Sequence, residues 1–485
     1  MIPLVHGVSA AEKSTDPGPS HAPAWAWGLC WLMFASTVLN YMDRQTIALV
    51  KPKILDQFAI NNEAFGWVLA AFQLTYAFFQ VPAGFLTDRW DPRRTYAGAV
   101  AWWSLAGAIA AFSPSLGFLM ACRALLGVGE SFNWPCALKV TGRVLPPAAR
   151  GLGNGIFNSG AAVGAILTPL IVPPLAGAFG WRVTFLAIGL LGAVWIIAWL
   201  LLTRGPAAGA LAADPAPERA EGPGPSPMAI GSLAALVVAS LLLASTAWRF
   251  GAPALWWAVA FLMVGLLIVA RILPEQAGIG WLTDLGHVVR RRRFWVLAIV
   301  SSSINVCWHF LVNWLPGYLQ DDRKWEFVVG GMLSALPFIA ADLGNIGGGA
   351  LSLGLGRGPM GPTRARLLVM TGCTALIASG AAVGFVRNDA LVMLLLALMA
   401  LGTAAFMANY FALCQDVSPR HTGLVVGILG GLGNLFAAGF SPVVGRIKDE
   451  VGTYAPAFQV VGLLPFLGLA ALWLAWGREP VADGD

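Results

Sequence analysis

Four ionisable residues stand inside stretches that are otherwise apolar, and their spacing pairs them. Asp43 and Arg44 are neighbours in Asn40-Tyr41-Met42-Asp43-Arg44, within an apolar segment running from about Trp25 to Val50. Arg123 and Glu130 lie seven residues apart in another such segment, which on an α-helix is two turns, roughly 10 Å along the axis and nearly one face. A charge at the centre of a membrane-spanning helix costs about 2.5–3.5 kcal/mol on insertion scales, so it persists where a water-filled cavity or an opposite charge receives it. Two carboxylates and two guanidiniums held together in a poor solvent can bind protons and anions. Burial and nearby arginines act on a carboxylic acid in opposite directions, which brings protonation of Asp43 or Glu130 within reach of physiological pH. Groups so close titrate as a set, and the sequence does not assign the proton to one of them. The expected role is the working centre of a transporter; the structural alternative is a permanently ionised network that only fixes helix packing.

These residues need long apolar helices to hold them. Of the 485 residues, 58% are hydrophobic and 11% charged, against about 25% charged in ordinary globular chains, which excludes a soluble domain of this size. The net charge of +6 does not point to nucleic acid, because the basic residues are scattered in short loops with no basic stripe beside stacking aromatics. All six cysteines (Cys30, Cys122, Cys136, Cys307, Cys373 and Cys414) fall in or at the ends of apolar segments without a CxxC pair. They read as small buried hydrophobes. No HExxH, nucleophile elbow or P-loop is present, and His6, His21, His287, His309 and His421 are dispersed. An enzyme, a metal centre and a bound cofactor are therefore not expected.

The apolar spans set the expected organisation. Residues 1–24 read as a disordered cytoplasmic tail without the order of a cleaved signal peptide. A first six-helix bundle covers 25–203, with spans near 25–50, 64–87, 96–113, 115–138, 151–176 and 181–203. A cytoplasmic linker rich in Pro, Ala and Gly follows at 204–227, then an extra hairpin at 228–273 made of two spans, 228–247 and 253–273. A basic segment, 274–293, precedes a second six-helix bundle at 294–476 and a tail at 477–485. The fold class is all-α and polytopic, with about 14 transmembrane helices. The 30 lysines and arginines fall roughly two to one on the side that carries both termini, which places those termini in the cytoplasm and the protein in the cell (inner) membrane.

The turn after the second span reads Gly84-Phe85-Leu86-Thr87-Asp88-Arg89-Trp90-Asp91-Pro92-Arg93-Arg94. Gly84 would let two helices approach, Asp88 would face a helix N-terminus or an arginine, and Arg89, Arg93 and Arg94 would stay on the cytoplasmic side, together forming a latch between the halves. The alternative is an ordinary basic loop. A weaker echo, Gly348 to Gly354, has Leu353 where the acid would stand. In the fifth span, Gly151/Gly155 and Gly160/Gly164 form two small-xxx-small ridges for helix packing.

The G-x-L-x-D-R-x-x-x-R-R spacing resembles that of the major facilitator superfamily. Residues 40–44, Arg123 with Gly-Val-Gly-Glu at 127–130, Phe157 to Ala165 and Phe179 to Phe185 resemble its anion:cation symporter family. Bacterial hexuronate and galactonate-type sugar-acid proton symporters are the members they are most similar to, with animal sialic acid and vesicular glutamate carriers more distant. The resemblance is strong over 25–203 and looser over 294–476, and the hairpin departs from the usual twelve-helix pattern. It implies a major facilitator fold of two six-helix bundles around a central cavity. It also implies proton coupling at Asp43 and Glu130, contacts to that pair or to a substrate carboxylate by Arg44 and Arg123, and a pocket lined by Tyr41, Tyr76 and Asn409. Asn158 and Ser159 are further pocket polars. His309 and Asn313, four apart and on one helix face, stand where the family more often has aromatics, and they bear on hydroxyl recognition. The implied partners are a small anionic substrate, protons and the bilayer, acting on a monomer. The same residues are compatible with a carrier of another organic or inorganic anion, or with Na+ coupling. A membrane sensor that binds without transporting is a further alternative.

Overall fold

The computed structural model describes residues 23–212, 252–272, 280–418 and 422–476, and among them helix is the only regular structure. The tail 1–22, most of the linker (213–227), the first hairpin span at 228–247, residues 273–279, His421 and the tail 477–485 lie outside the described residues.

The first half contains α1 (Ala24–Leu49), a short α2 (Lys51–Phe58), α3 (Asn62–Arg89), α4 (Pro92–Ala110), α5 (Leu116–Glu130), α6 (Asn133–Val144) and α7 (Pro147–Leu202). Side chains at loop ends start several of them: Asn61 accepts from the Ala64 amide, Asp91 from Arg93 and Ser115 from Phe118, each satisfying one of the free N–H groups of a first turn. The expected span at 115–138 is two helices, α5 and α6, broken at Ser131 and Phe132. The expected spans at 151–176 and 181–203 meet in α7 at Gly180, whose φ of 84° and ψ of 161° are open to glycine and strained for other residues. Leu190, Val194, Ile197 and Leu201 form an exposed stripe on α7, an apolar face suited to lipid contact rather than to water.

A short α8 (Pro206–Leu211) ends the first half, and α9 (Ala252–Ile272) and α10 (Gly280–Val289) precede the second. The second half has α11 (Arg292–Asp321), α12 (Phe327–Leu333), α13 (Ala335–Gly356) and α14 (Gly361–Ala378), the last continuing as a 3₁₀ turn over Ser379–Phe385. It closes with α15 (Asp389–Gln415), α16 (Thr422–Val451), α17 (Ala455–Leu463) and α18 (Pro465–Ala475). Eight helical segments among the described residues are long and apolar enough to cross a membrane. α1 is long enough too, but Asn40, Asp43, Arg44, Gln45 and Thr46 dilute its hydropathy.

The halves meet along α3 and α16. A Cβ on Gly66 would stand 2.5 Å from the Cα of Pro442, and Gly445 backs onto the main chain of Asn62. These contacts belong to the end of the bundle where α1 finishes and α3 begins, and polar groups also cross there. Lys51 Nζ donates to Asp321 Oδ2 at 2.5 Å and to the Tyr454 hydroxyl, which itself donates to Asp321 at 3.0 Å. Asp449 accepts from the main-chain amides of Asn62 and Glu63 and, at 2.7 Å, from the Asn62 side chain.

The helix α9 lies over the same seam. Its Trp256 indole donates to the Leu435 carbonyl at 3.0 Å and packs on Gly439. Trp256, Val259, Ala260 and Met263 cluster with Trp67, Ala70 and Leu74 of α3 and with Leu435 and Ala438 of α16. α9 therefore touches both halves.

Candidate functional site

Tyr41 and Arg44, three residues apart on α1, share a face, and α3 and α5 complete their surroundings. The Arg44 guanidinium carbon stands 4.3 Å from the Tyr76 ring centroid, 5.3 Å from Phe72 and 5.5 Å from Tyr41, within the range of cation–π attraction. Its Nε donates to Glu130 Oε2 at 2.6 Å, with Glu130 fully buried. Arg123 stands 4.9 Å from the Phe72 centroid and donates through Nη1 to the main-chain carbonyl of Asp43 at 3.1 Å. Phe72 thus touches both arginines. Arg44 Nη2, Glu130 Oε1 and Arg123 Nε are buried without a hydrogen-bond partner among the described residues. Such groups cost about 1–3 kcal/mol each when left unsatisfied, so the cluster has both donor and acceptor capacity for something that enters it.

Glycines create this geometry. A Cβ on Gly127 would meet the Phe72 carbonyl at 2.5 Å, so its absence brings α5 against α3, where Thr75 donates to the Ala124 carbonyl at 2.8 Å. That contact aims Arg123 and Glu130 at Phe72 and Arg44. Gly107 of α4 makes room for Asp43, whose Oδ1 is 3.1 Å from where a Cβ would sit. Asp43 is therefore turned toward α4, and no ion pair reaches it among the described residues. Gly160 and Gly164 press α7 onto Phe34, Val38 and Tyr41 of α1. The expected Gly151/Gly155 ridge is corrected at Gly155, which has nothing within 4 Å among the described residues, and Gly153 is the glycine packed against Cys30 and Leu145. Position 155 faces away from both neighbours, because the helical repeat puts 153, 160 and 164 toward them.

The second half faces this cluster with α11, α13 and α16. His309 is half-buried, its Nδ1 2.9 Å from the Asn305 carbonyl, and it lies within electrostatic reach of Arg44 and beside Asn434. Asn313, one turn further on, is buried. Tyr41 packs with Ala165, Ile166, Val312, Trp308 and Phe338, a small apolar cluster across the halves. Asn158 is exposed about two turns before Ala165 and Ile166 on α7; Ser159 turns its hydroxyl back to the Ile156 carbonyl at 2.7 Å. Asn409 sits elsewhere. Its amide donates to Ala405 and Gly348, and it lines a cavity of about 320 Å³ with Gly349, Ser352, Arg357 and Arg366, all in the second half.

The latch expected at Gly84, Asp88, Arg89, Arg93 and Arg94 is placed differently by its parts. Among the described residues nothing lies within 4 Å of where a Cβ on Gly84 would sit. Arg93 donates to Thr203 at 2.9 Å and accepts on its carbonyl from Trp199, tying α4 to α7 of its own half. Arg94 is exposed, 3.8 Å from Asp91. The side chains of Asp88 and Arg89 lie outside the described residues. The six cysteines are all free and buried.

Four residues were not singled out from sequence. Asp342, half-buried on α13, and Asn434 of α16 carried a findable signal, a polar group in a membrane-length apolar span. Phe72 is one aromatic among many, and Lys51 looks like an ordinary loop charge. The ion cluster is buried within the first half of a chain whose repeated apolar helices are those of a polytopic membrane protein. Residues 33–435 match the family model described as Major Facilitator Superfamily, and the chain belongs to that family.

The hexuronate transporter of Escherichia coli (strain K12) is 23% identical over 463 residues, which cover 94% of this chain and 96% of that one. The probable L-galactonate transporter of the same organism is 26% identical over 460 residues, covering 93% and 89%. The crystal structure of an auto inhibited POT family peptide transporter superposes with a TM-score of 0.73 at 16% identity, covering 95% of this chain and 98% of the other. The last likeness concerns the fold, which is the expected major facilitator fold.

Proposed function

We infer that the chain is a secondary active transporter that takes up a sugar acid, a hexuronate or an aldonate, together with a proton, by alternating access. The observation that carries this reading is the Arg44–Glu130 pair, buried at 2.6 Å with an unpartnered nitrogen on one side and an unpartnered oxygen on the other. A substrate carboxylate and Glu130 compete for one guanidinium. Arg44 stays charged at any working pH, so the competition is decided by the proton on Glu130. When Glu130 is protonated, Arg44 is free for the substrate; when it ionises, it reclaims Arg44 and the substrate leaves. Tyr41, Tyr76, His309 and Asn313 then meet the hydroxyls, and Arg123 and Asp43 support the cluster.

Coupling requires that proton and substrate favour the same conformers to different degrees. With both termini cytoplasmic in the inner membrane, the Lys51–Asp321 end faces outward and is closed, so release proceeds inward. The named relatives and the motifs at 40–44 and 123–130 support the choice of sugar acid. Another organic anion would use the same guanidinium, whereas Na+ would need the carboxylates, and replacing the proton gradient by a Na+ gradient separates the two couplings.

The deciding experiment is uptake of radiolabelled galacturonate, glucuronate and galactonate into proteoliposomes with an inward proton gradient and with it collapsed. Gradient-dependent accumulation of one of them is the expected result. Absence of all three in vesicles holding folded protein would reject the substrate class, and binding without flux would make the protein a sensor.

A further inference from the structure

Asp342 is an ionisable residue in the middle of a membrane-length segment. It lies on α13, within Phe327–Gly356, a segment that holds an 18-residue window of mean hydropathy 1.7. About 14 residues separate it from either end, roughly 21 Å of helix, so its short side chain cannot reach a membrane surface. It is half-buried, with no hydrogen bond and no ion pair among the described residues. A purely structural carboxylate at that depth would be paired. One turn before it, Phe338 packs on Trp308, with ring centroids 6.0 Å apart, and joins the cluster that includes Tyr41. Asp342 lies within electrostatic reach of the Tyr41 hydroxyl. Asn345, Gly349 and Ser352 continue its stripe at helical spacing toward the basic end, Asn345 being exposed. The carboxylate therefore lies beside the cluster where Tyr41 of the first half meets Phe338 of the second, and the Tyr41 ring in turn stands 5.5 Å from the Arg44 guanidinium.

We propose that Asp342 is the specificity determinant at the far end of the binding site, accepting hydroxyl donors of a monocarboxylate and rejecting a second carboxylate. The inference rests on the reading of the central cluster as a sugar-acid site. A site with a guanidinium at one pole and a carboxylate at the other is matched to a molecule that is anionic at one end and rich in hydroxyl donors at the other. An aldarate, anionic at both ends, meets one like charge wherever it lies. Rejection by a fixed repulsive group is the usual means by which a site excludes a near-identical ligand.

The test is uptake of galactonate and of galactarate by the wild type, Asp342→Asn and Asp342→Glu in proteoliposomes, with folding checked by size-exclusion profile. The wild type should prefer galactonate; Asp342→Asn should narrow the galactonate-to-galactarate ratio of uptake efficiency by about tenfold or more, as removal of one repulsive group predicts. Asp342→Glu should keep the preference. An unchanged ratio in Asp342→Asn, with or without loss of proton-driven accumulation, overturns the assignment and leaves the functional reading standing. If folded wild type takes up neither acid, this inference is overturned, and the functional reading falls with it only when galacturonate and glucuronate uptake is also absent.

Discussion

Lys51, fully buried on the first half, holds Asp321 of the second half at 2.5 Å, and Tyr454 closes the triangle. The pair spans two bodies that must separate at this end if the carrier is to open there. Breaking a buried pair leaves one charge without its partner, a larger loss than removing both. Lys51→Met and Asp321→Asn should each lower the thermal unfolding temperature, and the double variant should recover part of the loss. A double-mutant cycle on unfolding in detergent should return an interaction of about 1–3 kcal/mol. Additive losses would show that the contact does not hold the halves together.

Arg44→Lys tests whether position 44 needs a guanidinium or only a positive charge. Lysine lacks the planar fork that engages Glu130 while leaving a nitrogen open above the Tyr76 ring. Uptake efficiency should fall by about tenfold or more with the protein still folded, a loss of roughly 1.4 kcal/mol or more in transport free energy. Near-normal uptake would mean that the substrate is not held there.

The two acids of the cluster are separated by their surroundings. Glu130 is bound to Arg44, whereas Asp43 faces Gly107 without an ion pair among the described residues. Glu130→Gln should abolish proton-driven accumulation while leaving exchange of labelled for unlabelled substrate. Asp43→Asn should keep accumulation at a reduced rate. The reverse pattern would move the coupling proton to Asp43.

Two glycines, Gly127 on α5 and Gly155 on α7, should respond in opposite ways to a methyl group. Gly127→Ala drives a Cβ into the Phe72 carbonyl region and should cost about 1–3 kcal/mol of stability. Gly155→Ala meets open space and should be neutral or gain up to about 1 kcal/mol, because alanine is the better helix former. Thermal unfolding of the two variants side by side checks both.

Sequence reading reached the charge cluster because ionisable residues are so sparse in apolar spans that each stands out. Arg44, Arg123 and Glu130 did, and they meet around Phe72. The same logic applied to the span at 327–352 points to Asp342, but glycine spacing drew the attention there instead. Phe72 could not be singled out, since an aromatic in an apolar run has no contrast. Lys51 lies between two spans, where a basic residue reads as a solvated loop charge, and only the packing of Asp321, Trp314 and Tyr454 around it reveals its burial. Gly84 shows a related limit: a motif records that a glycine is present, and its neighbours decide what the missing side chain makes room for.

The helix α9 is seated on two bodies at once. When the halves turn against each other as proposed, it cannot keep both seats. The Trp256 indole, hydrogen-bonded to Leu435, marks the seat on α16 as the directional one, whereas its contacts with Trp67, Ala70 and Leu74 of α3 are apolar. Many weak contacts exchange partners gradually, and a buried hydrogen bond does not. The extra helix is thus a passenger of the second half and a runner along the first, and each turnover drags a segment of apolar surface through the surrounding lipid.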